Sequence, residues 1–189
     1  MFNPWLTIAP ICATLLTAFS LHAADGVPAV AGAVTLTPQN TKIQFICAHV
    51  GAKPDRKGGF GKFSGKALLD AKSLKSVSLE IDTTSLFTEF DMLTTHLKSP
   101  DFFEVRRFPT AKFESINIEP AAGTSQITGK LTLHGVTREL RIPAKVEVSD
   151  AGLILSSEFT INRLDFGINY DPKKVEDKVS MTVVIGEKL

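Results

Sequence analysis

From Ile43 to Ile185 the chain alternates apolar and polar residues with period two, and few folds accept such a pattern. In an extended strand every second side chain shares a face, so each run predicts a strand with one apolar side. Ile43, Phe45, Cys47 and His49 form the first set, then Phe63, Gly65, Ala67 and Leu69, then Val77, Leu79 and Ile81. Around Phe113 to Ile118 the parity breaks, with Phe113 and Ser115 on one face and Ile116 and Ile118 on the other, which predicts a bulge. Ile127 to Leu133, Leu140 to Val148, Leu153 to Ile161 and Val179 to Ile185 complete eight runs. The other face carries Lys130, Thr132, Arg141, Lys145 and Glu147, as in antiparallel strands with one wet side. Turn residues separate the runs at Asp70–Ser73, Ala122-Gly123, His134-Gly135 and Ser149–Gly152. The class is therefore all-β, a sandwich or a closed barrel.

One segment departs from period two. Phe90, Leu93 and Leu97 fall at helical spacing, which predicts a short amphipathic helix stopped by Ser99-Pro100. Residues 53–59 are expected to be a flexible loop entering a strand, and Asp171 to Lys178 a solvated turn. With 189 residues, one domain with a sizeable core is expected. A net charge of +1 argues against nucleic acid as a partner.

Trp5 to Leu21 is uncharged, too short to span a membrane comfortably, and runs into His22-Ala23-Ala24-Asp25. This is the pattern of a secretory leader, although Lys and Arg are missing from its first residues. The expected division is a leader at 1–23, a linker at 24–33 and one barrel domain at 34–189, in a periplasmic or secreted protein. After cleavage one cysteine remains, Cys47, so no internal disulfide can form. Of thirteen Phe, Phe2 and Phe19 lie in the leader, and the eleven left accompany a single Tyr and no Trp, which suits a dry interior.

Reactive chemistry is sparse. His49, His96 and His134 show no metal-ligand spacing, and no G-x-S-x-G elbow is present. Gly58 to Lys66 is glycine-rich but fits neither the Walker nor the dinucleotide spacing. Asp101, Glu104, Asp165, Asp171 and Glu176 are read as exposed loop charges. Gly65, Gly129, Ala144 and Ser157 interrupt the apolar faces in mid-strand. They can hollow out an apolar tunnel or can allow close backbone approach, and the residues alone leave both readings open.

Several motifs in order carry a family likeness: F-x-x-x-H at Phe45 to His49, G-x-F-x-x-F-S-G at Gly58 to Gly65, T-T-H-L-K-S-P-D-F-F at Thr94 to Phe103, F-P-T-A-K-F at Phe108 to Phe113, G-K-L-T-L-H-G-V-T-R-E at Gly129 to Glu139, and R-L-D-F-G at Arg163 to Gly167. Over residues 34–187 the chain resembles the YceI-like family of exported bacterial proteins. The resemblance implies an antiparallel eight-stranded lipocalin-like barrel with a short capping helical segment. It implies an elongated apolar cavity for a polyisoprenoid or similar amphiphile, no cofactor and no established enzymatic activity, and so favours the tunnel.

On that basis the expected role is an exported carrier for an isoprenoid quinone, polyprenyl lipid or fatty-acid-like chain. Expected tail contacts are Phe45, Phe63, Leu79, Ile81, Phe113, Leu131, Leu133, Phe159 and Ile161. Phe90, Leu93, Leu97 and Phe102 are expected to close one end, with His49 and His96 as head-group candidates. Expected partners are the lipid, a membrane met transiently and a second copy of the chain. Two other classes compete: a barrel enzyme using His49 and His96 on a lipid, and a structural module with a filled core.

Overall fold

A computed structural model describes residues 32–51 and 55–186. The expected leader and most of the expected linker lie outside the described residues. The strands are β1 (Gly32–Leu36), β2 (Thr41–His49), β3 (Arg56–Phe60), β4 (Phe63–Asp70), β5 (Ser73–Asp82), β6 (Leu86–Thr88), β7 (Thr110–Glu119), β8 (Ser125–Leu133), β9 (Val136–Ser149), β10 (Gly152–Asn162) and β11 (Val175–Ile185). One helix, α1 (Asp91–Lys98), follows β6. Among the described residues, no helix is long and apolar enough to cross a membrane.

All eight expected runs are strands, and the three additional ones are short. Two of the three explain how the sheet curls into a barrel. Among the described residues the strand order is β1-β4-β5-β7-β8-β9-β10-β11-β2-β3-β6, every pairing antiparallel. β3 runs on into β4, and β5 runs on into β6 through a 3-10 turn at Thr83–Ser85. At this shared corner the Gly61 N–H donates to the Ser85 carbonyl (3.2 Å) and the Asp82 N–H to the Lys62 carbonyl (3.0 Å). Walking from β5 through β7, β8, β9, β10, β11 and β2 therefore arrives at β3, and through β4 back at β5. The expected loop at 53–59 needs correction: Arg56–Gly59 is strand, paired with Gln44–Cys47, because two glycines let the ring of Phe45 and the backbone of β6 press close. β1 begins at Gly32, two residues inside the expected linker.

The parity break does produce a bulge, between Ser115 and Asn117 opposite β8. The Ser115 hydroxyl there accepts from the Val77 N–H of β5 (2.9 Å), which replaces a ladder bond. β8 and β9 are joined by His134-Gly135, both at positive φ (51° and 76°), the two-residue turn whose twist matches a hairpin. The His134 ring packs on Phe108 (4.4 Å between centroids), and its Nδ1 lies 3.1 Å from the Phe166 carbonyl, so Nδ1–H donates there.

β9 is shared: Val136–Ala144 pairs with β8, and Lys145–Ser149 pairs with β10. β9 and β10 part beyond Lys145 and Ser156; two residues on, Pro143 has no N–H to give, and the Ser157 hydroxyl donates to its carbonyl (2.6 Å). In the seam below sits a second 3-10 turn, Arg163–Phe166, with Phe166 fully buried. A cleft of about 410 Å³ marks the seam outside, between Arg138–Leu140 and Thr160–Asn162.

Candidate functional site

The interior is hollow in two places. An upper chamber of about 320 Å³ lies at the α1 end, and a lower one of about 90 Å³ lies further down the bore. Ile43, Ile81, Leu131 and Met181 line both, so the chambers are stacked and meet at a waist. The lining is nearly all hydrocarbon, which favours an apolar occupant over water.

α1 forms part of the upper wall. Leu93, His96 and Leu97 share one helical face and line the chamber, and Phe102 and Phe103 follow in the next turn. Ser99 is extended before Pro100, which ends the helix as expected. Two aromatic groups wall this end. Phe45, Phe60 and Phe103 follow one another at centroid spacings of 6.0 and 6.1 Å. His96, Phe102 and Tyr170 all touch, at 5.1, 5.0 and 4.7 Å.

The polar groups at the mouth are already engaged. His96 Nε2 lies 3.1 Å from the Asp101 carboxylate, and His49 Nδ1 lies 3.1 Å from the Lys174 carbonyl. The Lys174 ammonium bonds the Asp171 carboxylate at 2.8 Å, which lowers the carboxyl pKa and raises that of the ammonium. Burial pushes the Cys47 thiol up, so it stays protonated on the chamber wall.

Arg163, only 3% exposed, holds the mouth together. Between Val175 and Val179 the register of β11 against β2 slips, which frees carbonyls from the ladder. The guanidinium takes two of them, donating to the Val175 (3.0 Å) and Glu176 (3.1 Å) carbonyls, and donates also to the Ile168 carbonyl (2.8 Å) and the Asp177 carboxylate (3.1 Å). The expectation of a solvated turn at Asp171–Lys178 thus holds only for its first half. Val175 onward is strand, and Asp177 is the partner of a buried cation.

The structure brings Phe45, His49, Ile81, Leu93, His96, Leu97, Phe102, Leu131, Leu133 and Ile161 to the upper chamber. It brings Leu79, Ile81, Phe113, Leu131 and Phe159 to the lower one. Two expected site residues line neither. Phe63 is buried core, paired with Ile81 beside the corner where β4 begins. Phe90 precedes the helix instead of lying on its inner face, is 53% exposed, and carries the Arg56 guanidinium 5.3 Å from its ring centroid. Sequence reasoning missed Phe60, Phe103, Ala111, Tyr170 and Met181 as lining residues. Period two was the available signal for Met181, whereas Phe60 stands in a glycine-rich strand without alternation and Phe103 and Tyr170 sit in turns.

The small residues do not hollow out the bore. A Cβ at Gly129 would meet the Phe113 ring at 2.5 Å and the Glu114 carbonyl at 2.7 Å. One at Gly65 would meet the Ser78 carbonyl at 2.2 Å and Leu79 Cδ2 at 2.9 Å. These glycines allow close approach, and only Ser157 of the four lines a chamber. The hollow arises where facing apolar side chains fail to meet.

A family model described as the YceI-like domain matches residues 34–186. A protein of Shewanella denitrificans described as a UPF0312 protein is 34% identical over 184 residues, covering 92% of each chain. A UPF0312 protein of Pseudomonas aeruginosa is 33% identical over 157 residues, covering 78% of this chain and 81% of its own. Among solved structures, BcnA of Burkholderia cenocepacia superposes with a TM-score of 0.69 at 25% identity, covering 77% of this chain and 94% of that one. A polyisoprenoid-binding domain from Saccharophagus degradans, implicated in plant cell wall breakdown, is similar in fold, with a TM-score of 0.63 at 14% identity over 82% of this chain and 97% of that one.

Proposed function

The chain belongs to the YceI-like family, and we propose on that footing that it is an exported binding protein for a long apolar chain rather than an enzyme. The observation that carries the reading is the apolar bore, whose two chambers share a waist. Each methylene removed from water contributes about 0.8 kcal/mol, so a long tail binds well with no polar contact. The polar groups at the mouth orient a head group that stays near solvent. The similar fold of the polyisoprenoid-binding domain from Saccharophagus degradans supports a polyisoprenoid as the ligand class. The leader-like N-terminus supports export to the periplasm or beyond the cell. Transient contact with a membrane is the route by which such a tail is loaded.

Protein purified from its own host, extracted with organic solvent and analysed by mass spectrometry, is expected to yield one long-chain lipid in stoichiometric amount. Protein that is always empty overturns the reading. Cys47 offers a second measurement, because it lines the upper chamber and burial raises its pKa. Its alkylation by iodoacetamide is expected to be slow at neutral pH and slower by about tenfold when lipid is bound, as expected of a thiol shielded from reagent.

A further inference from the structure

We propose that the waist sorts ligands by tail length, admitting only a tail that outruns the upper chamber into the lower one. The inference rests on the lipid-binding reading and adds a specificity determinant to it.

Four strands each supply one waist residue: Ile43 from β2, Ile81 from β5, Leu131 from β8 and Met181 from β11. β2 and β11 are neighbours in the sheet. β5 and β8 flank β7 on the opposite side of the ring. The two pairs therefore face each other across the bore, and the four side chains line the stretch that both chambers share. Ile43 and Ile81 are buried and stiff at their branched carbons, which sets a fixed half of the constriction. Met181 is half-buried, unbranched and free to change rotamer, so it is the part that yields to a passing chain.

The lower chamber accepts hydrocarbon only. Its one polar wall residue is Ser157, whose hydroxyl proton is already donated to the Pro143 carbonyl. A head group entering there would lose its water without a replacement bond. The polar and titratable groups lie instead at the far end, where His49, Arg56, His96, Tyr170 and Lys174 line the upper chamber. Polarity thus runs one way along the bore and orients the ligand. The head stays at the mouth, the tail points at the waist, and each methylene beyond it gains about fourfold in affinity. A short tail ends above the waist and gains nothing from the lower chamber.

Dodecanol and docosanol, displacing a dansyl-labelled fatty acid from the intact protein, test this. The unaltered protein is expected to prefer docosanol by at least about tenfold, a few methylenes' worth. Met181→Phe, which fills the waist, is expected to bring the ratio of the two affinities close to one. Leu131→Phe narrows the waist from the opposite wall and gives the same reading if the first variant folds poorly. A ratio left unchanged in a folded variant overturns the sorting proposal while leaving lipid binding intact. Failure of the unaltered protein to bind either alcohol overturns the lipid-binding reading itself, and the sorting proposal with it.

Discussion

The two chambers are walled by the same kinds of apolar side chain, yet they are held open by different means. The upper one ends in a ring of engaged polar groups, with Arg163 satisfying carbonyls from Ile168, Val175 and Glu176. The lower one has no such ring among the described residues; the β5–β7–β8 and β10–β11–β2 ladders enclose most of it, with Phe113 lying over Gly129, and the seam between β9 and β10 closes the rest. A hydrogen-bonded clasp keeps a mouth wide where strands lose register, and close packing keeps a floor narrow where most of them stay paired.

The sharpest way to break the contrast is Arg163→Met. It leaves an apolar stem near the chamber but strands three carbonyls and the Asp177 carboxylate, partners of a buried charge. Removing one partner of a buried ion pair costs about 3–5 kcal/mol. Asp177 is partly exposed, so the loss is expected at the lower end of that range, read as a shift of the urea midpoint. A change below about 1 kcal/mol would mean that the clasp does not hold the mouth.

The floor is tested by Gly129→Ala. The added methyl has nowhere to go except against the Phe113 ring and the Glu114 carbonyl, and overpacking of this kind costs about 1–3 kcal/mol. Phe113 also lines the lower chamber, so its displacement is expected to shrink that chamber and leave the upper one alone. Urea unfolding gives the energy, and the docosanol-to-dodecanol affinity ratio gives the shrinkage. If the energy falls but the ratio holds, the ring has moved away from the bore.

Legibility in the sequence also divides between the chambers. Period two exposed the strands around the floor, because Leu79, Phe113, Leu131 and Phe159 sit in regular ladders where parity decides which way a side chain points. The same rule failed at the mouth. Phe103 and Tyr170 lie in turns, and Phe90 was assigned inward from helical spacing although it precedes the helix by one residue. In the sequence Arg163 stands out only as part of the R-L-D-F-G motif, since nothing local announces that a guanidinium will fill a register slip across from it. The mid-strand glycines were visible, but their meaning depends on what lies over them. Gly58 is opposite Phe45 in β2, and the ring covers it, a cross-strand fact that no single strand contains.

A smaller effect is expected at the rim, where His96 meets Asp101. Both side chains are well exposed, at 40% and 56%, so screening leaves the pair about 0.2–1 kcal/mol. His96→Gln is expected to change stability by less than that ceiling and to leave the sheet intact. It also tests the idea that His96 does chemistry. A purely orienting residue shifts head-group preference, whereas loss of lipid turnover in the variant would bring the enzyme reading back.

The smallest expected effect lies at the corner where β5 passes into β6, next to the waist residue Ile81. The Asp82 carboxylate accepts from the Thr84 hydroxyl (2.6 Å) and the Thr84 N–H (2.8 Å), which holds its pKa below the ordinary 3.8. A carboxyl with a depressed folded-state pKa contributes stability that is complete above the unfolded value and lost as pH falls through the folded one. Both hydrogen bonds are open to solvent, so Asp82→Ala is expected to cost about 0.5 kcal/mol at neutral pH, the low end for a lost cap. The gap from the unaltered protein should be flat above about pH 5 and close below pH 3.8 as the carboxyl is protonated. A gap that persists in acid would mean that the side chain works at this corner by packing and not by its charge, and that the bend beside the waist is set by its other bonds, from the Gly61, Asp82 and Thr83 N–H groups and the Ser85 hydroxyl.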